Sequence, residues 1–193
     1  MIFPDGSYTE RLGKRAIDKI KQWANDGGTI VAVKGAHAFL REKDVEISKL
    51  KPWEAPKKKS DDKDAAADDA SEERYNDFRI PGSAFRTTMN DRSFLTFGVP
   101  RAPAVLVEGS GAFLPLPHKV DNIVTIDEKD PLISGVAWQE NLDRIKGSVY
   151  VASEKFGRGQ VITFADDPHF RLFWRGTLPM FLNAVVYGPS FPR

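Results

Sequence analysis

The spacing of apolar residues in the first 42 positions predicts alternating helices and strands. In residues 11–25, apolar side chains recur every three or four residues, as on one face of a helix. The β-branched run Thr29–Val33 has no polar alternation, which favours a strand covered on both faces of a parallel sheet. Residues 36–42 are typical of a short helix. The order helix, strand, helix predicts an α/β fold.

Further along the chain, short apolar runs predict strands in residues 104–107, 123–126 and 148–153. The segment SVYVASEKFGRGQVITFADD predicts a β-hairpin that reverses at residues 156–159, because Gly157 and Gly159 permit a tight turn. Apolar spacing in residues 170–187 predicts a C-terminal helix with Pro179 near its start or at a kink. We therefore expect a single domain over residues 1–193.

Composition narrows the range of partners and chemistries. The chain has 28 basic and 27 acidic residues, so there is no charge excess for nucleic acid or an anionic membrane, and no apolar run reaches the roughly 20 residues of a membrane span. It has no cysteine, which excludes thiol nucleophiles and cysteine metal ligands. Residues 51–76 are rich in charge and alanine, and we expect a flexible surface insertion there.

Three stretches together resemble a known family: IFPDGSY with WANDGGTIVAVKGA, then RIPGSAFRTTMNDRSFLTFGV, then GRGQVITFADDPHFRLFWRGTLPMFLNAVV. They look like the class I glutamine amidotransferase-like domain that follows the catalytic domain in zinc carboxypeptidase-like proteins. The resemblance implies a three-layer sandwich with a mostly parallel, flavodoxin-like central sheet, here without its first strand and helix, plus the hairpin and C-terminal helix.

The resemblance also implies a partner and a location. The partner would be an upstream peptidase domain of the same polypeptide, and zinc is expected only in that domain, with no cofactor in this chain. A secreted or periplasmic location and a peptide or cell-wall ligand would follow. The N-terminal sequence has no signal peptide of its own.

An amidotransferase carries its nucleophilic cysteine on the strained turn between a strand and the next helix. In this sequence that turn is VAVKGAH, and Lys34 or Gly35 stands nearest the nucleophile. The family's histidine and glutamate correspond to Asp167 and His169 in FADDPHF, which reverses the two residue types. The sequence therefore predicts a degenerate site with no catalytic residue and no glutaminase activity.

Other residues leave alternatives open. Asp166, Asp167 and His169 could serve a hydrolase or bind a metal, although capping of the next helix by Asp167 is the favoured interpretation. Arg171, Trp174 and Arg175 could bind an acidic or aromatic ligand, or anchor the last helix. Structural roles are expected for His118, for Ser7 as a helix cap and for Ser110 in a loop. A structural role is also expected for His37, although it counts as a candidate for the remnant of the amidotransferase pocket together with Lys34, Gly35, Asp166, Asp167 and His169.

We interpret the chain as a non-catalytic interaction domain, with a hydrolase or metal-binding domain as the alternative.

Overall fold

A six-stranded sheet forms the centre of the protein in the computed structural model, which describes residues 1–53, 79–109 and 111–191. Numbered along the chain, its strands are β1 (Ile2–Phe3), β2 (Thr29–Val33), β4 (Thr87–Met89), β6 (Asn122–Ile126), β8 (Val149–Phe156) and β9 (Gly159–Phe164). They lie in the order β1-β2-β9-β8-β6-β4. The prediction for Thr29–Val33 is confirmed, since β2 is buried along its whole length between β1 and β9.

The sheet is mixed, so the predicted mostly parallel sheet is wrong. The β1–β2 and β2–β9 pairs are parallel, whereas the β9–β8, β8–β6 and β6–β4 pairs are antiparallel. The hairpin explains the change of direction: β8 ends at Phe156, β9 starts at Gly159, and Gly157 has a φ of 60°. A two-residue connection can only join antiparallel neighbours.

A second, three-stranded antiparallel sheet lies beside the first. It contains β3 (Ile80–Phe85), β5 (Val105–Gly109) and β7 (Leu132–Ser134) in the order β5-β3-β7. The run at residues 104–107 therefore belongs to this smaller sheet, which the sequence did not separate from the main one.

Four α-helices are present among the described residues: α1 (Lys14–Asn25), α2 (Ala36–Arg41), α3 (Gln139–Ile145) and α4 (Leu178–Val186). The predicted helix over residues 170–187 begins only at Leu178, because Arg171 and Leu172 adopt positive φ values that interrupt a helix. Pro179 lies in its first turn, as expected. Gly13, not Ser7, precedes α1, so the predicted Ser7 cap is wrong.

Helices cover both faces of the parallel strands. Ile30 and Ala32 of β2 pack in a cluster with residues of α1 and α2, whereas Val31 packs in the cluster that contains Met180 and Ala184 of α4. Because successive strand side chains point to opposite faces, this division shows three layers at β2.

The first three residues of the predicted insertion over 51–76 are paired with the rest of the chain. Trp53 donates its backbone N–H to Ala112 O over 2.8 Å, and Leu114 donates to Lys51 O over 2.8 Å, so residues 51–53 pair with the main fold. Residues 54–76 lie outside the described residues. Among the described helices, none has the length and apolar character needed to cross a membrane.

Candidate functional site

The turn between β2 and α2 is strained, as is the turn that carries the nucleophile in the enzymes that the sequence resembles. Lys34 directly follows β2 and has a φ of 53°, in the left-handed region that side chains with a Cβ rarely adopt. The next residue, Gly35, donates its N–H to Asp5 Oδ1 over 2.9 Å. A Cβ at position 35 would lie 2.7 Å from that oxygen, so glycine permits the close approach.

The Lys34 ammonium forms an ion pair with a buried carboxylate at the end of β9. Lys34 Nζ lies 3.0 Å from Asp166 Oδ1, and the Asp166 side chain is only 7% exposed. The same carboxylate accepts the backbone N–H groups of Glu108, over 2.5 Å, and Asp167, over 2.8 Å. Three donors therefore converge on Asp166, and Lys34 points at it rather than into solvent.

Burial and charge act on this pair in opposite senses. Burial lowers the pKa of Lys34, but Asp166, Glu108 and Asp5 outweigh that effect, so the pKa of Lys34 is raised overall. Burial raises the pKa of Asp166, and the Glu108 N–H and Lys34 oppose the rise without cancelling it. We expect an ion pair at neutral pH, because three donors reach the Asp166 carboxylate.

Asp167 and His169 form a second pair beside the first. Asp167 Oδ1 lies 3.1 Å from His169 Nδ1 and also accepts the backbone N–H of His169 over 3.0 Å. The Asp167 side chain is 31% exposed and that of His169 is 38% exposed. Asp167 therefore closes a local turn and orients His169, instead of capping an α-helix.

His37 takes part in a separate buried network. Its Nε2 lies 3.0 Å from Ser48 Oγ, and Ser48 donates its hydroxyl to Glu154 Oε2. Burial, together with the charge of Arg41, lowers the pKa of His37 to about 3. His37 is therefore neutral at pH 7. Because Ser48 donates to the carboxylate, His37 must donate to Ser48, which leaves this histidine no role as a base towards that hydroxyl.

The remaining candidates do not converge on Lys34. Arg171 is exposed and its guanidinium lies 5.1 Å from the centre of the Phe170 ring, while Arg175 is exposed. Trp174 is half-buried, and its Nε1 has no hydrogen-bond partner among the described residues. His118 is exposed and precedes a 3-10 turn. Ser7 is exposed, and Ser110 lies outside the described residues.

The site has little room and no metal-binding group of its own. The cavity lined by Tyr150 and Asp166 has a volume of about 10 Å³, room for about one water molecule. Among the described residues, no three or more His, Asp or Glu side chains are grouped so as to hold a metal ion. Asp166, Asp167 and His169 are neighbours in sequence, but their polar atoms serve the contacts described above.

Sequence reasoning missed four residues that contribute contacts. Asp5 and Glu108 lie near Lys34, and Ser48 and Glu154 bind one another next to His37. Asp5 had a signal, since it follows β1 in the turn IFPDGS of a parallel sheet, where carboxyl ends of strands meet. Glu108 and Glu154 come from separate strands, and only tertiary pairing brings them to these positions.

The fold belongs to the glutamine amidotransferase-like class of α/β folds. Two solved structures share it: a cytoplasmic protein from Salmonella typhimurium and a ThuA-like protein from Bacteroides uniformis. The first has a TM-score of 0.54 and 12% identity, and the match covers 96% of this chain and 70% of that one. The second has a TM-score of 0.51 and 13% identity, with 94% and 66% covered.

The chain therefore spans about two thirds of the length of these structures, and identities this low establish the fold alone. No protein-family model matches the chain, and no curated protein matches it.

Proposed function

We propose that this chain is a non-catalytic interaction domain with a degenerate amidotransferase site. Its proposed partner is a zinc carboxypeptidase-like peptidase domain of the same polypeptide, and zinc would belong to that domain. Support for the partner comes from the sequence resemblance, and support for the non-catalytic role comes from the geometry around Lys34.

The ion pair between Lys34 and Asp166 is the observation that carries the proposal. In a working amidotransferase the strained turn between the strand and the next helix presents a thiolate to the substrate. The residue that the resemblance aligns with that position, Lys34, presents an ammonium group that contacts a buried carboxylate at 3.0 Å. An ion-paired ammonium group has no free electron pair, so it cannot attack an amide carbonyl. Lys34 has the left-handed backbone of a strained turn, but its side chain is held by Asp166.

An exposed apolar surface at α4 supports an interaction role. Leu182 and Val186 are 49% and 61% exposed and lie one turn apart on the helix. Phe97 is 50% exposed, and its ring centre lies 6.5 Å from that of Tyr187 and 6.3 Å from that of Phe191. Contiguous exposed apolar groups of this kind mark contact surfaces.

The catalytic half of the proposal is tested by installing the missing thiol. We expect Lys34→Cys to fold, and Gly35→Cys to fold with a shift of the Asp5 side chain, whose carboxylate an added Cβ would meet at 2.7 Å. Neither variant should release ammonia from glutamine above the level of Lys34→Ala, because the resemblance places Asp167 and His169 in the reverse of the order that the enzymes use. Circular dichroism checks folding, and a coupled glutamate assay measures turnover. Glutamine hydrolysis by either cysteine variant would contradict degeneracy at more than one position.

The partner half is tested separately, by reading the codons ahead of Met1. An open frame that encodes a peptidase domain with its zinc ligands supports the proposal. A stop codon in that frame directly ahead of Met1 would refute it.

A hydrolase is the second candidate, and the pairing of Asp167 with His169 favours it. A carboxylate at 3.1 Å from a half-exposed imidazole can hold that ring ready to accept a proton. A screen of ester, amide and phosphoester substrates tests this function, with His169→Gln as the control. Turnover by the parent protein that disappears in His169→Gln would favour the hydrolase. If neither protein turns over any substrate, the result supports the proposed interaction domain instead.

A further inference from the structure

Two grooves adjoin residues 114–117, Leu-Pro-Leu-Pro, which we call the proline loop. The first groove has a volume of about 580 Å³ and the second about 800 Å³, and Pro115 lines both. The first groove is remote from Lys34 along β8. Lys155 of the first groove pairs with Gln160 at the start of β9, whereas Phe164 at the end of β9 precedes Asp166 by two residues.

Three exposed lysines line the first groove. Lys49 and Lys51 lie two residues apart on the extended segment before Trp53, and Lys155 lies near the end of β8. None of the three forms an ion pair with another described residue. Their ammonium groups are therefore available to a ligand.

The carboxylates of this groove do not cancel that charge. Glu154 lines the groove but is only 7% exposed. Its Oε2 accepts the hydroxyl of Ser48, and its Oε1 accepts the backbone N–H of Lys49 over 2.7 Å. Asp121 is the other acidic residue of the lining. The exposed charge of the first groove is therefore positive.

The second groove is also lined by more basic than acidic residues. Arg92, Lys119 and Lys129 line it, against Asp127 and Glu128. Together the two linings hold six Lys or Arg and four Asp or Glu residues, a surplus of two positive charges. The whole chain has a surplus of only one, from 28 basic and 27 acidic residues. The remainder is thus slightly acidic, and positive charge is concentrated in the grooves.

We propose that these two grooves bind a linear polyanion without bases, whose charges are phosphate or sulfate groups. Two concave, positively lined surfaces that meet at Pro115 suit a chain passing over the proline loop, because low-dielectric walls focus the field on its anions. Neither lining contains Phe, Tyr or Trp. Single-stranded nucleic acid binds by stacking on such rings as well as by charge, so a polymer without bases fits better.

Binding of fluorescein-labelled polyphosphate and of a labelled sulfated glycan, measured by anisotropy over a range of salt concentrations, tests the proposal. The groove variant is Lys49→Glu/Lys51→Glu/Lys155→Glu. The matched control is Lys14→Glu/Arg15→Glu/Lys19→Glu, which makes the same change in net charge on α1. We expect the groove variant to bind at least about tenfold more weakly, with a salt slope reduced by roughly two to three, as for three lost phosphate contacts.

The control variant should keep most of the affinity. Loss in the groove variant alone supports the proposal, and the two probes then distinguish phosphate from sulfate as the preferred anion. The proposal is overturned if neither probe binds, if both variants lose affinity equally, or if oligothymidylate binds more tightly than both probes. Circular dichroism of each variant shows that the fold is retained, and single substitutions replace any triple variant that does not fold.

Discussion

At the scale of single residues, Lys34 stabilises a buried charge from a strained backbone position. Its left-handed φ of 53° costs about 1 kcal/mol. The contact with Asp166 offsets this cost, because it supplies one of three donors to a carboxylate that is 7% exposed. The lysine side chain is itself 29% exposed, so solvent screens part of the attraction.

We predict that Lys34→Met lowers the free energy of unfolding by about 1–3 kcal/mol at pH 7, because Asp166 loses its countercharge. Loss of Lys34 should raise the pKa of Asp166 further, so the variant takes up a proton on folding and its deficit shrinks as pH falls. Urea denaturation at pH 7 and at mildly acidic pH measures both effects. A deficit that grew on acidification would contradict the ion pair.

His37 makes the free energy of unfolding depend on pH, and the direction of its pKa shift fixes the sign of this dependence. Its pKa is lowered to about 3 by burial, so the unfolded chain binds a proton below about pH 6.5 that the folded chain does not. Stability from this group is therefore present above pH 6.5 and is lost as pH falls. We predict a loss of about 1.4 kcal/mol per pH unit below that point from this residue.

The matched variant for this test is His37→Gln, which keeps a hydrogen-bond donor towards Ser48 but does not titrate. We expect it to be less stable than the parent at pH 7 and to lack the histidine contribution to the slope, as read from urea denaturation between pH 7 and 5.5. Glu154 and Asp166 have raised pKa values and act in the opposite sense in both proteins. Equal slopes in parent and variant would show that His37 titrates normally.

At the scale of elements, the hairpin between β8 and β9 is where the main sheet changes from parallel to antiparallel pairing. Gly159 is the first residue of β9. A Cβ added at this position would overlap the backbone oxygens of Ala24 and Gly28. The hairpin thus packs directly on the end of α1. Position 159 must be glycine because the backbone of the hairpin lies so close to residues 24–28 that no side chain fits between them.

We predict that Gly159→Ala destabilises the protein by about 1–3 kcal/mol, since backbone atoms cannot move aside as a flexible side chain can. Gly13→Ala is the control: no atom lies within 4 Å of the added Cβ, so its cost should be limited to about 0.5–1 kcal/mol, because alanine is a poorer N-cap for α1 than glycine. Thermal denaturation of the two variants measures the difference. Similar melting temperatures for both would show that the hairpin does not press on α1.

At the scale of the whole molecule, α4 has one face buried in the core and one face exposed to solvent. Met180 and Ala184 are fully buried against the sheet, whereas Leu182 and Val186 are largely exposed. We predict that Leu182→Lys/Val186→Lys changes the free energy of unfolding by less than about 1 kcal/mol, because neither side chain leaves a core. Binding of an apolar dye should fall in the same variant.

Ala184→Lys on the same helix is the comparison for that variant. Placing an ammonium group at a buried position should cost several kcal/mol, on the order of the larger single-residue effects. Chemical denaturation of both proteins distinguishes the faces. Comparable destabilisation by the exposed and the buried substitutions would mean that the exposed face is covered in the isolated chain.

The sequence by itself determined the local elements and the failure of the amidotransferase chemistry. Apolar spacing located α1 and β2, the paired glycines located the hairpin, and the absence of cysteine excluded the nucleophile, because each of these depends on neighbouring residues or on residue type alone. Tertiary structure decided the rest. Strand direction beyond the hairpin, the second sheet and the partners of Lys34 and His37 depend on residues far apart in sequence: Asp166 lies 132 positions after Lys34, and Glu154 lies 106 after Ser48. Periodicity carries no information about such pairs, since it reports which face of an element is buried and not what covers it.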